Sequence, residues 1–196
     1  MNLPSLEVGP RAGRVQDRLA GAGVDALLVT DLVNVRWLTG FTGSAGRALI
    51  LPERVVLVTD GRYEERAAEE LAAVGCDATV TIGRSVAAQD EALAAAVRGL
   101  ARVGLEAEHV SWAGVERYRA ALPAELVPTS GLVEAERRTK DAGELARIEH
   151  ACSLASQALA SEQACSMRAS SPASLVRRSA STSPLVGTSS AGSAVR

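Results

Sequence analysis

Arg47-Ala48-Leu49-Ile50-Leu51-Pro52-Glu53-Arg54-Val55-Val56-Leu57-Val58-Thr59-Asp60-Gly61 is the stretch on which the fold turns. Two short aliphatic runs are separated by Pro52-Glu53, a turn dipeptide, so the pattern predicts an antiparallel hairpin with a polar tip. Asp60-Gly61 closes the second strand. A helix over Arg62 to Val74 is expected next, with Ala67, Leu71 and Val74 on one face and Gly75 as its stop.

Outward from the hairpin, helix and strand signals alternate. Before it, Val15, Leu19 and Ala22 recur at helical spacing, Gly23 breaks the pattern, and Val24 to Val29 reads as a buried strand. Thr30 to Gly46 carries Asp31, Asn34, Gly40, Gly43 and Gly46 among short apolar pieces and is read as a long structured loop. In it, Trp37 and Phe41 are read as core plugs, the alternative being an exposed interface anchor. After the hairpin come a strand at Ala78 to Ile82, a helix over Ser85 to Leu100 capped by Ser85, and a strand at Arg102 to Leu105. A helix over Trp112 to Leu122 and an extended Glu125 to Pro128 follow. From Leu132 the chain is helical in two parts, the second from Asp141 through Leu159. The fold class expected is α/β, a mixed sheet flanked by helices, followed by a linker helix and a disordered tail.

The organisation expected is a leader over 1–13, a domain over 14–135, a hinge and linker helix over 136–160, and a tail over 161–196. The tail holds eleven serines, four arginines and one acidic residue, Glu162, and fits neither a period of 3.6 nor one of 2. Its formal charge is +3, against −5 for residues 1–160.

Composition narrows the function classes. The chain has 196 residues, an apolar fraction of 47% and a charged fraction of 22%, enough for one ordinary core. A net charge of −2 offers phosphate backbones or anionic lipid no general attraction, so neither nucleic acid nor membrane is an expected partner. Cys76, Cys152 and Cys165 form no CxxC pair and suit a reducing compartment, which makes the expected location cytoplasmic. His109 and His150 lack the i, i+4 pairing of a helical zinc site, and no Ser-His-Asp, Cys-His or phosphate-loop pattern is present.

Three segments carry a resemblance. Asn34-Val35-Arg36-Trp37-Leu38-Thr39-Gly40-Phe41-Thr42-Gly43-Ser44-Ala45-Gly46 resembles the N-x-x-Y-L-T-G-F-x-G-S-x-G segment of the aminopeptidase P, prolidase and creatinase family, with Trp37 in place of the commoner Tyr. Thr59-Asp60-Gly61-Arg62-Tyr63 is similar to that family's D-G-R-Y turn. Leu132 to Leu145 resembles its hinge into the catalytic domain.

The resemblance implies a non-catalytic N-terminal domain, cut off before the metal-binding catalytic domain and inactive on its own. In the intact family that domain supports oligomerisation and substrate access during hydrolysis of X-Pro bonds. The alternative is a stand-alone interaction module that pairs with a full-length family member. Two divalent metal ions, such as Mn or Zn, are implied for the intact enzyme and none for this chain, because one Glu after residue 160 cannot supply the ligand set. The implied partners are a second copy or a full-length peptidase.

Asn34, Asp60 and Arg62 are the substrate-proximity candidates. Asn34 offers donors and an acceptor to orient a ligand or the loop itself. Asp60 is read first as a helix-start device, and Arg62 alternatively as a planar fork reaching a substrate carboxylate or carbonyl. Lys140 and Glu144 are expected to pair across a helical turn.

Overall fold

The computed structural model describes residues 4–169, with side chains described through 162. The chain divides into two units, residues 1–146 and 147–196. The first runs α1 (Gly9–Leu19), β1 (Ala26–Val29), α2 (Leu32–Thr39), β2 (Gly46–Ile50), β3 (Val55–Thr59), α3 (Glu64–Ala73) and β4 (Ala78–Ile82). It continues through α4 (Val86–Ala96), β5 (Arg102–Glu106), α5 (Trp112–Ala121), β6 (Glu125–Thr129) and α6 (Leu132–Arg137) into the start of α7 (Ala142–Ala169).

The six strands lie in the order β4-β3-β2-β1-β5-β6. β2 pairs antiparallel with both β1 and β3, while β3 with β4, β1 with β5 and β5 with β6 are parallel. β2 alone therefore runs against the other five strands. The expected hairpin is β2–β3, in register Gly46↔Thr59 through Ile50↔Val55, and it is what makes the sheet mixed.

Strand alternation sends neighbouring side chains to opposite faces, and each face has its own core. Leu27, Val29, Ala48, Ile50, Val55 and Leu57 enter one cluster with Val15 and Leu19 of α1, Val35 and Leu38 of α2, and Leu71 of α3. Ala26, Leu28, Leu49, Val56 and Val58 enter the other with Leu93, Tyr118 and Leu122. Continuous apolar runs are what a sheet covered on both sides requires. Each fully buried Leu or Val contributes about 1.5–3 kcal/mol.

Two boundaries differ from the sequence expectation. The first helix begins at Gly9, inside the segment read as a leader, because Pro10 suits a first helical turn and Val8, Arg11 and Ala12 are buried. The segment 30–46 is not a loop throughout, since α2 occupies its first half. The Asp31 side chain accepts from Asn34 N, Val35 and Leu38 turn inward, and Gly40 ends the helix at φ +78°. Trp37 and Phe41 are buried, at 8% and 1% exposure, as core plugs.

Of the second unit, the structure describes the continuation of α7 through Ala169, which carries helix past Ser161. Ile148, Leu154 and Leu159 are exposed on it. The disorder expected for the tail lies, from residue 170 on, outside the described residues.

Candidate functional site

β1 and β5 are parallel neighbours whose following helices, α2 and α5, pack on opposite faces of the sheet. In open α/β sheets the crevice outside the carboxyl ends of such strands is the usual place for a ligand. Here it is filled by the chain itself. Glu106, the last residue of β5 and 7% exposed, accepts through Oε2 from Thr30 N (2.6 Å), Thr30 Oγ1 (3.2 Å) and Asp31 N (2.9 Å). Its Oε1 accepts from Asn34 Nδ2 at 2.7 Å.

Asn34 is fully buried and used at both ends. Nδ2 donates also to Glu134 Oε1 (2.5 Å), and Oδ1 accepts from Arg137 at 2.8 Å. His109 Nε2 stands 3.4 Å from Glu134 Oε1. Burial raises the Glu134 carboxyl, but the Asn34 amide and nearby His109 more than offset it, so its pKa falls below the ordinary value. The cavity left beside Glu106 and Glu134 is about 10 Å³, room for one water at most. Hydrogen bonds to charged acceptors are the strong kind. This centre ties α2, the end of β5 and α6 together.

Asp60 and Arg62 lie together at the end of β3. Asp60 Oδ1 accepts from Arg62 N at 3.0 Å, opening a 3-10 turn over Gly61–Tyr63, as a helix-start device should. The Arg62 guanidinium folds back on the same carboxylate, with its terminal nitrogen 2.7 Å from Oδ2, and its side chain is 68% exposed. The hydrogen bond from Arg62 holds the Asp60 carboxyl below its ordinary pKa.

Next to them, Tyr63 Oη accepts from Ser44 N (3.0 Å) and lies 2.8 Å from Ser44 Oγ. Glu70 accepts from Thr42 N and Oγ1 at 2.7 and 2.6 Å. The 41–45 loop is thus fastened at two points, to the 3-10 turn through Tyr63 and to α3 through Glu70. Its glycines have a packing reason: a Cβ on Gly46 would come within 2.8 Å of the Phe41 ring, and one on Gly43 would enter it. Asn34 is not part of this group; its side chain bonds to Glu106, Glu134 and Arg137, at the β5 and α6 side.

A third centre escaped the sequence reading. Arg11, 2% exposed, pairs with Asp141 at 2.5 Å and Glu144 at 3.3 Å, donates to Trp37 O at 2.9 Å, and stacks over the Trp37 ring at 4.8 Å. Trp37 Nε1 donates to Glu144 at 3.0 Å. Asp141 and Glu144 cap each other's amides reciprocally, opening α7. The expected Lys140–Glu144 pairing gives way to this arrangement, and Lys140 donates instead to the carbonyls of Arg137 and Arg138. The Asp-x-x-Glu spacing was the legible signal. No local pattern points to Arg11 as the partner of Asp141 and Glu144, or to Glu106 as the partner of Asn34.

Among the described residues, no group of three or more His, Cys, Asp or Glu side chains is placed to hold a metal ion. The two-metal ligand set implied for the intact family therefore does not fit the described residues. Among them, too, no helix is long and apolar enough to cross a membrane.

Residues 11–139 match the family described as the creatinase/prolidase N-terminal domain. The uncharacterized peptidase YqhT of Bacillus subtilis is 34% identical over 137 residues, 69% of this chain and 38% of that protein. The N-terminal domain of cytoplasmic peptidase PepQ from Mycobacterium tuberculosis is 36% identical over 65% of this chain and 98% of that one, with a TM-score of 0.58. An Xaa-Pro dipeptidase from Bacillus anthracis is 28% identical over 69% of this chain and 37% of its own, with a TM-score of 0.64. The chain thus spans a little over a third of the length of the whole peptidases it matches.

Proposed function

Because this chain belongs to the creatinase/prolidase N-terminal domain family, we propose that it serves as the non-catalytic N-terminal domain of an Xaa-Pro aminopeptidase- or prolidase-like metallopeptidase. In that role it supports oligomerisation and substrate access, while the divalent metals, such as Mn or Zn, are held by a separate catalytic domain. The carrying observation is that the match covers 98% of a chain that is itself an N-terminal peptidase domain, but only 37–38% of whole peptidases. A cytoplasmic setting is proposed from the likeness to PepQ, which is described as a cytoplasmic peptidase.

Within this reading the three candidate residues divide. Asn34, with its amide wholly engaged, orients α2 and α6. Asp60 holds the turn, and Arg62 keeps an exposed guanidinium at the domain surface, where a peptide carboxylate in a neighbouring catalytic domain would meet a planar fork of donors. Partners of this kind are a second copy or a full-length peptidase, and the latter pairing would also serve a stand-alone module.

The test is hydrolysis of X-Pro dipeptides and tripeptides by the purified 196-residue chain with added Mn²⁺, Co²⁺ or Zn²⁺, alongside a metal titration. No turnover and no stoichiometric metal are expected. Metal-dependent turnover free of contaminating peptidase overturns the proposal.

A further inference from the structure

The two edges of the sheet are not built alike. Which backbone groups face outward follows from the end-of-strand hydrogen bonds, since N–H and C=O alternate sides along a strand. At the β6 edge, Glu125 N donates to Ala101 O and Thr129 O accepts from Ala107 N, so 125, 127 and 129 face β5 while Leu126 and Pro128 face out. Pro128 has no N–H to offer, so this edge is blunted where another strand would pair.

At the β4 edge, Gly83 N donates to Thr59 O. Thr79 and Thr81 therefore face β3, and Ala78, Val80 and Ile82 turn their N–H and C=O groups outward. Ala78-Thr79-Val80-Thr81-Ile82 has no proline and no charge, the devices by which edges are commonly closed. Among the described residues, β4 has a strand neighbour on one side only.

We propose that β4 is the chain's self-association surface, pairing antiparallel with β4 of a second copy about a two-fold axis at Val80. It rests on the homodimer put forward above and names its surface. The pattern fits a second copy because it is self-complementary. With Val80 opposite Val80 of the partner, Ala78 falls opposite Ile82, and every outward group meets an outward group, giving about six inter-chain hydrogen bonds. Thr79 falls opposite Thr81 in the close, non-hydrogen-bonded pairs where threonines interact well. The contact is isologous and closes at two copies.

Sedimentation of the whole chain over a concentration series, with amide exchange followed residue by residue, tests this. A dimer is expected in which the Val80 and Ile82 amides become protected as concentration rises. Val80→Pro, which copies the outward Pro128 and removes an N–H unused within the chain's own sheet, should yield a folded monomer. Should that variant fail to fold, Thr79→Lys/Thr81→Lys sets like charges opposite each other across the two-fold and should also give a monomer. A dimer that survives these substitutions, with Val80 and Ile82 exchanging freely, overturns the surface and leaves the homodimer standing. A chain that is monomeric throughout the series overturns both.

Discussion

Asn34 and Glu106, 72 positions apart, meet at 2.7 Å where β1 and β5 end, and the Asn34 amide passes the connection on to Glu134 and Arg137. The crevice that this topology opens is closed by the chain's own side chains. The arrangement makes Asn34 a structural centre whose removal is costly.

Asn34→Ala should destabilise the domain by about 2–4 kcal/mol, because it strips a donor from two carboxylates and an acceptor from Arg137 in a buried place. Urea unfolding followed by circular dichroism measures this. A loss below about 0.5 kcal/mol, the size of an ordinary surface change, would mean that the network carries no weight.

Arg11→Met should cost about 3–5 kcal/mol near neutral pH, since it leaves the Asp141 and Glu144 carboxylates without their buried cation. Burial raises the Asp141 carboxyl, but hydrogen bonding and charge from Arg11 prevail and hold its pKa below 3.8. The native value is the depressed one, so its stabilisation is complete above the unfolded value and is lost as pH falls through the folded one. The stability difference between wild type and Arg11→Met should therefore shrink below about pH 4. A gap that stays constant down to the acid transition would remove Asp141 from the account.

Gly40→Ala combines a left-handed φ of +78° with a Cβ only 2.6 Å from Val74 Cγ2. The backbone cost is about 1–2 kcal/mol and the crowding about 1–3 kcal/mol. Adding Val74→Ala should recover the crowding part alone. A double-mutant cycle with no coupling would show that the backbone conformation accounts for the whole effect.

Asp60→Ala should lower the thermal midpoint more than Arg62→Ala, since Asp60 accepts from the Arg62 backbone amide as well as from its side chain. Equal shifts from the two variants would mean that only the exposed ion pair matters, and the turn would need another explanation.

Much of the fold was legible. The Pro52-Glu53 turn between aliphatic runs gave the β2–β3 hairpin, and Ser85 was placed as a cap, which it is, accepting from Ala88 N. Helix α2 is hard to see in a segment that goes on through Gly43 and Gly46 as an irregular connection, although Asp31 and Gly40 bracket it as caps. Arg11 is not legible as a buried cation because Pro10 and the glycines around it have the composition of a loose leader, whereas Pro10 opens a helix.

From its own letters the sequence determined the strand and helix alternation, the apolar faces, the caps and the family motifs, because each depends on neighbours within a turn or two of chain. Tertiary structure alone decided which carboxylate meets Asn34, which cation meets Asp141, and which sheet edge is left open. Those partners lie 72 to 130 positions apart, or on strands ordered β4-β3-β2-β1-β5-β6 rather than as they occur in the chain. No local period encodes them; they follow from how the apolar faces pack into two layers on one sheet.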